Sequence, residues 1–218
     1  MKSTSDLAVP CHVDTVLTLP RQTGSRAIAA ACRDTALAFV HEALHWGKAE
    51  LAMWLMGPYA QVVQNVGDAS SRRSGELGRA VPLLREIDAR LADRVIVAAR
   101  NEVLDALART SDAEGMAAFA IAMVSSGFVV RAEDENGVEG WVPTSAPRRL
   151  ADRVLSLFAA DYLTRPAEYE TDLTICAQCK KVEFDQIARF RGVCEDHAHA
   201  STPPQAPRTT LPYFMTGS

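Results

Sequence analysis

The sequence has no run of about 20 apolar residues, the length a helix needs to cross a bilayer, so no membrane-spanning helix and no membrane partner are expected. Its opening residues, MKSTSDLAVPCHVD, lack the apolar core of a signal peptide, and the expected location is cytoplasmic. An excess of positive charge is missing too: 23 Lys and Arg stand against 27 Asp and Glu, giving a net charge of −4 and a pI near 5.7. Binding along a phosphate backbone needs clustered cations that displace counterions, so nucleic acid is not the expected partner. There is no G-x-G-x-x-G fingerprint, no P-loop, no nucleophile elbow and no internal repeat, which removes the common nucleotide-binding and serine-hydrolase signatures.

Cysteines are few and odd in number. Of the five, Cys11 and Cys32 stand alone and read as small, buried or half-buried side chains, while Cys176, Cys179 and Cys194 fall close together. That distribution suits metal ligation in a reducing compartment better than a disulfide framework. What is abundant is ordinary: 48% apolar and 23% charged residues over 218 positions, enough for one sizeable core, with or without a small appendage.

Helical periodicity dominates. Residues 12–19 alternate as a short strand would and stop at Pro20, but from Ser25 a helical pattern runs for some forty residues, with Val40, Leu44, Leu51 and Leu55 as its core stripe; Gly57-Pro58 is expected to kink or break it, with PYAQVVQNV resuming it for two turns. Residues 67–78, rich in Gly and Ser, read as a loop, and "SSRRS" within it as a solvated stretch. A second long helix is expected from Val81 to Arg109, with Leu84, Ile87, Leu91, Val95, Ala98 and Leu104 to Leu107 inward. Ser111 and Glu114 form an S-x-x-E capping box ahead of GMAAFAIAMV, which is apolar on all sides and reads as a central, buried helix. Residues 128–143 read as a hairpin turning at Asn136-Gly137, and Pro147 and Pro166 bracket a further amphipathic helix. Met53, Trp54 and Met56, and Trp141 of the hairpin, are expected to serve packing within the body.

The fold expected is mainly α, a helical bundle-like body carrying a small β-hairpin and ending in a zinc-ribbon or treble-clef-like knuckle. Its segments are an N-terminal stretch over 1–22, the helical body over 23–166, a zinc-binding module over 167–200 and a Pro-rich tail over 201–218.

Two motifs carry chemistry. In TICAQCKKVEFDQIARFRGVCEDHAH, a C-x2-C and a C-x2-H are separated by 14 residues, so Cys176, Cys179, Cys194 and His197 make a Cys3His set. Two cysteines three apart pinch an ion from a tight knuckle, and the intervening chain folds back to bring the second pair, the spacing of a closed structural zinc site. The stretch resembles a zinc ribbon or treble-clef knuckle over about 25 residues, and His199 competes with His197 as fourth ligand. The second motif is HEALH: His41 and His45 as zinc ligands with Glu42 as general base, the H-E-x-x-H pattern of zinc peptidases. A third ligand would be Glu102, whose surroundings, N-E-V-L-D, resemble the ligand helix of thermolysin-like gluzincins with Asp105 one residue early. In an unbroken helix His41 and His45 share a stripe with Asp34 and Lys48, the pattern of a solvated face, and an ammonium one turn away opposes a metal there.

The functional expectation is a non-catalytic, zinc-binding adaptor or regulator acting through protein contacts. A zinc metallopeptidase built on HEALH is the alternative. Nucleic-acid binding through Lys180, Lys181, Arg189 and Arg191 comes third, with Glu183 and Asp185 offsetting two of the four charges.

Overall fold

The computed structural model describes residues 25–64, 83–110, 112–133 and 139–198. The expected strand over 12–19, the loop over 67–78, the tail, Ser111, Asn136-Gly137 and His199 lie outside the described residues. The fold is mainly helical, with two small antiparallel strand pairs.

Helix α1, Ser25–Glu42, forms because Ala29, Cys32, Ala36, Phe39 and Val40 recur at three-to-four spacing and are all buried. The expected forty-residue helix stops there. Ala43–His45 tighten into a 3₁₀ turn, Trp46 and Gly47 adopt extended backbone, and α2 restarts at Lys48–Trp54. Gly47 starts it: its N–H donates to the Glu50 carboxylate at 2.9 Å, a local bond that competes with helix continuation. Leu44, expected in the core stripe, is consequently turned out and 49% exposed. Gly57-Pro58, by contrast, does not break the chain's helical path. A π turn over Leu55–Tyr59 takes in Pro58, and α3, Ala60–Gln64, follows directly.

The second long helix is also interrupted. A helical turn over 83–86 ends at Ile87, and α4 runs over Ala92–Arg109. Asp88 causes the break: its carboxylate accepts from the Arg90 N–H and its carbonyl from the Leu91 N–H, both at 2.9 Å, while Lys48 Nζ donates to the freed Ile87 carbonyl at 2.7 Å. The interruption resets the helical phase. The inward stripe is Ile96, Ala99, Val103, Leu104 and Leu107; Leu91, Val95 and Ala98, expected inward, are exposed.

Helix α5, Ala113–Ser125, is capped by Asp112, whose carboxylate accepts from Gly115 N–H at 2.6 Å. Gly115 is required there, since a Cβ would fall 2.9 Å from that carboxylate and 3.1 Å from the Thr110 backbone. This helix is not the buried centre: only Met116 and Ala120 are buried and Ile121 is 65% exposed. The hairpin follows as β1, Val129–Glu133, paired with β2, Glu139–Pro143, Val129 opposite Pro143. The central helix is α6, Leu150–Thr164, with twelve of its fifteen residues buried against α1, α4, α5 and the hairpin. Even its polar residues are inside, Asp161 among them, because every face meets another element. Pro166 then opens α7, Pro166–Thr171, occupying the first-turn position where its missing N–H costs nothing.

One apolar core runs from Cys32 to Val182 and takes in Tyr169, Leu173 and Val182, with Ile175 and Phe184 packed on it. The strand pair β3, Leu173–Ile175, with β4, Val182–Phe184, is therefore seated on the helical body, with Leu173 opposite Phe184 and Ile175 opposite Val182. Asp161 reinforces that seat. It accepts from Arg33 Nε and from the Tyr169 hydroxyl, both at 2.7 Å, and from Arg165, and the Arg33 guanidinium also lies 3.8 Å from the Phe184 ring centroid.

Candidate metal centre

The turn between β3 and β4 is the first half of the centre. Cys176 N–H donates to the Lys181 carbonyl at 2.8 Å and Lys180 N–H to the Cys176 carbonyl at 2.9 Å, folding the C-x2-C segment into a knuckle. Lys180 takes a positive φ of 61° to close it. Ala177 N–H donates to the Gly192 carbonyl at 3.1 Å, tying the knuckle to the second half of the centre.

That half is built by two short helices. Asp185 caps α8, Gln186–Arg191, by accepting from Ala188 N–H at 2.7 Å. Gly192 ends the helix in the left-handed region at φ 68°, which turns the chain so that Cys194 and then α9, Glu195–Ala198, come back over the knuckle. His197 N–H donates to the Cys194 carbonyl at 3.0 Å and fixes the second pair.

The four ligand atoms of Cys176, Cys179, Cys194 and His197 all lie within 4.8 Å of one another, a cluster able to hold a metal ion. Cys179 Sγ is 3.6 Å from Cys194 Sγ, and His197 Nδ1 is 3.1 Å from Cys194 Sγ and 3.7 Å from Cys176 Sγ. Cys176 and Cys194 are fully buried and, with Val193, form a small apolar cluster separate from the main core; Cys179 is exposed. Burial pushes the Cys176 thiol up, but the backbone N–H groups of Cys179, Cys194 and Gln178 outweigh it and bring the thiol down to about 6. Burial and the two neighbouring sulfurs push Cys194 up to about 11. Ionisation is thus favoured at Cys176 and opposed at Cys194, and a cation beside Cys194 would ease that opposition. Cys32 is remote in character: fully buried, with its thiol pushed far up by desolvation and by Asp161, it is an inert core side chain.

The HEALH residues are placed differently. Glu42 ends α1 and His45 ends the 3₁₀ turn, so the two histidines are not one turn apart on a continuous helix. His41 Nε2 bonds the Val182 carbonyl at 2.8 Å, which ties the end of α1 to β4. Glu102 is held by Arg149 through both carboxylate oxygens, at 2.5 and 2.6 Å. Among the described residues, His41, His45 and Glu102 are not brought together as a group of metal ligands.

Two contributions were missed in the sequence. Arg100, buried on α4, donates from Nε to the Val40 carbonyl at 2.5 Å; burial pulls its guanidinium below the ordinary value, and Cys179 offsets part of that. A cleft of about 520 Å³ opens beside the centre, lined by Leu37 and His41 of α1, β4, Ile187 and Arg191 of α8, and Glu195. Charge and apolar periodicity give no signal for either, because Arg100 meets Val40 only where α4 packs on α1, and the cleft forms only where α1 meets β4 and α8. Among the described residues no helix is long and apolar enough to cross a membrane. No protein-family model, curated protein or solved structure matches this chain.

Proposed function

We propose that this chain is a non-catalytic zinc protein, an adaptor or regulator whose C-terminal centre is a closed Cys3His zinc site of zinc-ribbon or treble-clef type. The observation that carries the reading is the convergence of four ligand atoms within 4.8 Å. A tetrahedral ion with zinc–sulfur bonds of about 2.3 Å and a zinc–nitrogen bond of about 2.0–2.1 Å sets edges of about 3.8 Å between sulfurs and about 3.5 Å between sulfur and nitrogen. The 3.6 Å and 3.7 Å separations fit these edges, and the 3.1 Å one needs to open by only about 0.4 Å, within ordinary side-chain movement. With four protein ligands there is no position left for substrate or for a metal-bound water, so the ion organises structure and not chemistry. Protein contact as the mode of action draws support from α8, which sends Ile187 (60% exposed) and Phe190 (93% exposed) into solvent next to the centre.

Metal stoichiometry tests the reading. The purified chain is expected to hold one zinc, retained in His41→Ala and lost in Cys176→Ser, with cobalt(II) substitution giving thiolate charge-transfer and tetrahedral absorption bands. A second zinc lost in His41→Ala, together with peptide hydrolysis abolished by Glu42→Gln, would replace this reading with a metallopeptidase.

A further inference from the structure

We infer that the centre is a peroxide-responsive modification site, in which Cys179 is the sulfur oxidised first and Cys194 is the sulfur that resolves it. The inference rests on the zinc-binding reading for its consequence, release of the ion, but its chemistry belongs to the sulfurs themselves. Accessibility selects the first residue. Cys32, Cys176 and Cys194 have no exposed surface, whereas Cys179 sits at the outer end of the knuckle in solvent. Proximity makes Cys194 a partner for it. Cys194 Sγ is 3.6 Å from Cys179 Sγ, so closing to a disulfide of about 2.05 Å takes a movement of about 1.6 Å.

Mobility favours the same pair. Cys176 is held on both sides by the knuckle's own hydrogen bonds, Cys176 N–H to the Lys181 carbonyl and Lys180 N–H to the Cys176 carbonyl, and its amide side continues from β3, whose Leu173 lies in the main core. Cys194 lies on the short stretch between α8 and α9, in a small apolar cluster with Cys176 and Val193 apart from the main core.

In the first step a lone pair of the Cys179 thiolate attacks one oxygen of hydrogen peroxide; the O–O bond breaks, hydroxide leaves, and Cys179 becomes the sulfenic acid. In the second step the Cys194 thiolate attacks that sulfur, the S–O bond breaks, a second hydroxide leaves, and the Cys179–Cys194 disulfide forms. Two thiolates lose two electrons in all, and peroxide gains two on becoming two hydroxides, which take up protons to give water. The zinc ion keeps its oxidation state throughout. Having lost two of four ligands, it is held only by Cys176 and His197 and dissociates.

The test treats the zinc-loaded full-length chain with hydrogen peroxide while a chromogenic chelator reports free zinc and a thiol reagent counts remaining thiols. One zinc is expected to appear for every two thiols lost, with full recovery on reduction and re-addition of zinc. Trypsin cuts after Lys180 and Lys181, so a disulfide to Cys194 links two peptides, and fragmentation between Cys176 and Cys179 assigns the bond to Cys179. Cys179→Ser should slow peroxide-driven thiol loss at Cys194 by about tenfold or more, since the exposed attacking thiolate is gone. A disulfide joining Cys176 to either partner, thiols that survive peroxide unchanged, or an unaltered rate in Cys179→Ser would each overturn the inference. If the chain takes up no zinc, the metal reading fails by itself, and disulfide mapping on the reduced, metal-free protein still decides which cysteines pair.

Discussion

Asp161→Ala should be among the most damaging single changes in the helical body. The carboxylate has no exposed surface and accepts from Arg33 Nε and from the Tyr169 hydroxyl, both at 2.7 Å, and from Arg165. Its removal leaves two guanidinium groups, with side chains only 11% and 17% exposed, facing each other with Glu168 as their shared acidic partner. It also leaves the Tyr169 hydroxyl with the Phe158 carbonyl at 3.2 Å. Breaking a buried pair by deleting one member costs about 3–5 kcal/mol, because a desolvated charge stays behind. For a domain of this size each kcal/mol is worth about 2–4 °C in Tm, so the expected drop is about 6–20 °C. Urea unfolding followed by far-ultraviolet circular dichroism gives the free energy, and calorimetry the Tm. Adding Arg33→Leu to the Asp161→Ala chain should recover part of the loss, since one of the two stranded cations is then gone. A loss below about 1 kcal/mol for Asp161→Ala would refute the reasoning, because it would mean the charges are solvated in a way their burial denies.

Two further outcomes follow from the seat of the knuckle. His41→Ala removes the bond to the Val182 carbonyl and is expected to cost about 1 kcal/mol, with faster amide exchange in β4 and unchanged zinc content; a lost zinc would contradict the placement of His41 outside the centre. Gly192→Ala meets no steric obstacle but sits at φ 68°, and a side chain there costs about 1–2 kcal/mol. Because Gly192 directs the second ligand pair, the cost should surface as a zinc affinity weakened about tenfold at unchanged Tm of the metal-free body, read by competition with a chromogenic chelator.

The Cys3His set was legible because its information is local: the spacing of Cys176, Cys179, Cys194 and His197 fixes which residues can meet, and the knuckle and the Gly192 turn then bring them together. The hairpin over β1 and β2 was legible for the same reason, as alternation with a turn signal between. Misreadings came where a short polar bond outcompetes helix propagation. Gly47 with Glu50 and Asp88 with Arg90 each break a helix whose apolar period continues through the break, and the period alone then assigns Leu44, Leu91 and Val95 to the wrong side. The central helix was misassigned on hydrophobicity. GMAAFAIAMV is more uniformly apolar than LADRVLSLFAADYLT, yet the latter is buried, because Arg33 arrives from α1 to join the nearby Arg165 and Tyr169 in satisfying Asp161. No short window of sequence contains the Arg33 contact, which spans 128 residues. HEALH fell apart for the first reason, its second histidine belonging to a turn and not to the helix.

The two halves of the metal centre differ in what holds them. The strands that present Cys176 and Cys179 are fastened into the main core through Leu173 and Val182, whereas Cys194 and His197 ride on two short helices outside it. The centre therefore works as a vise with one fixed jaw. On the zinc-binding reading, capture would begin on the pair of sulfurs fastened to the core, and loss would begin at the pair carried outside it. A change on α8 or α9 should consequently alter residence time, and a change in β3 or β4 the stability of the whole protein.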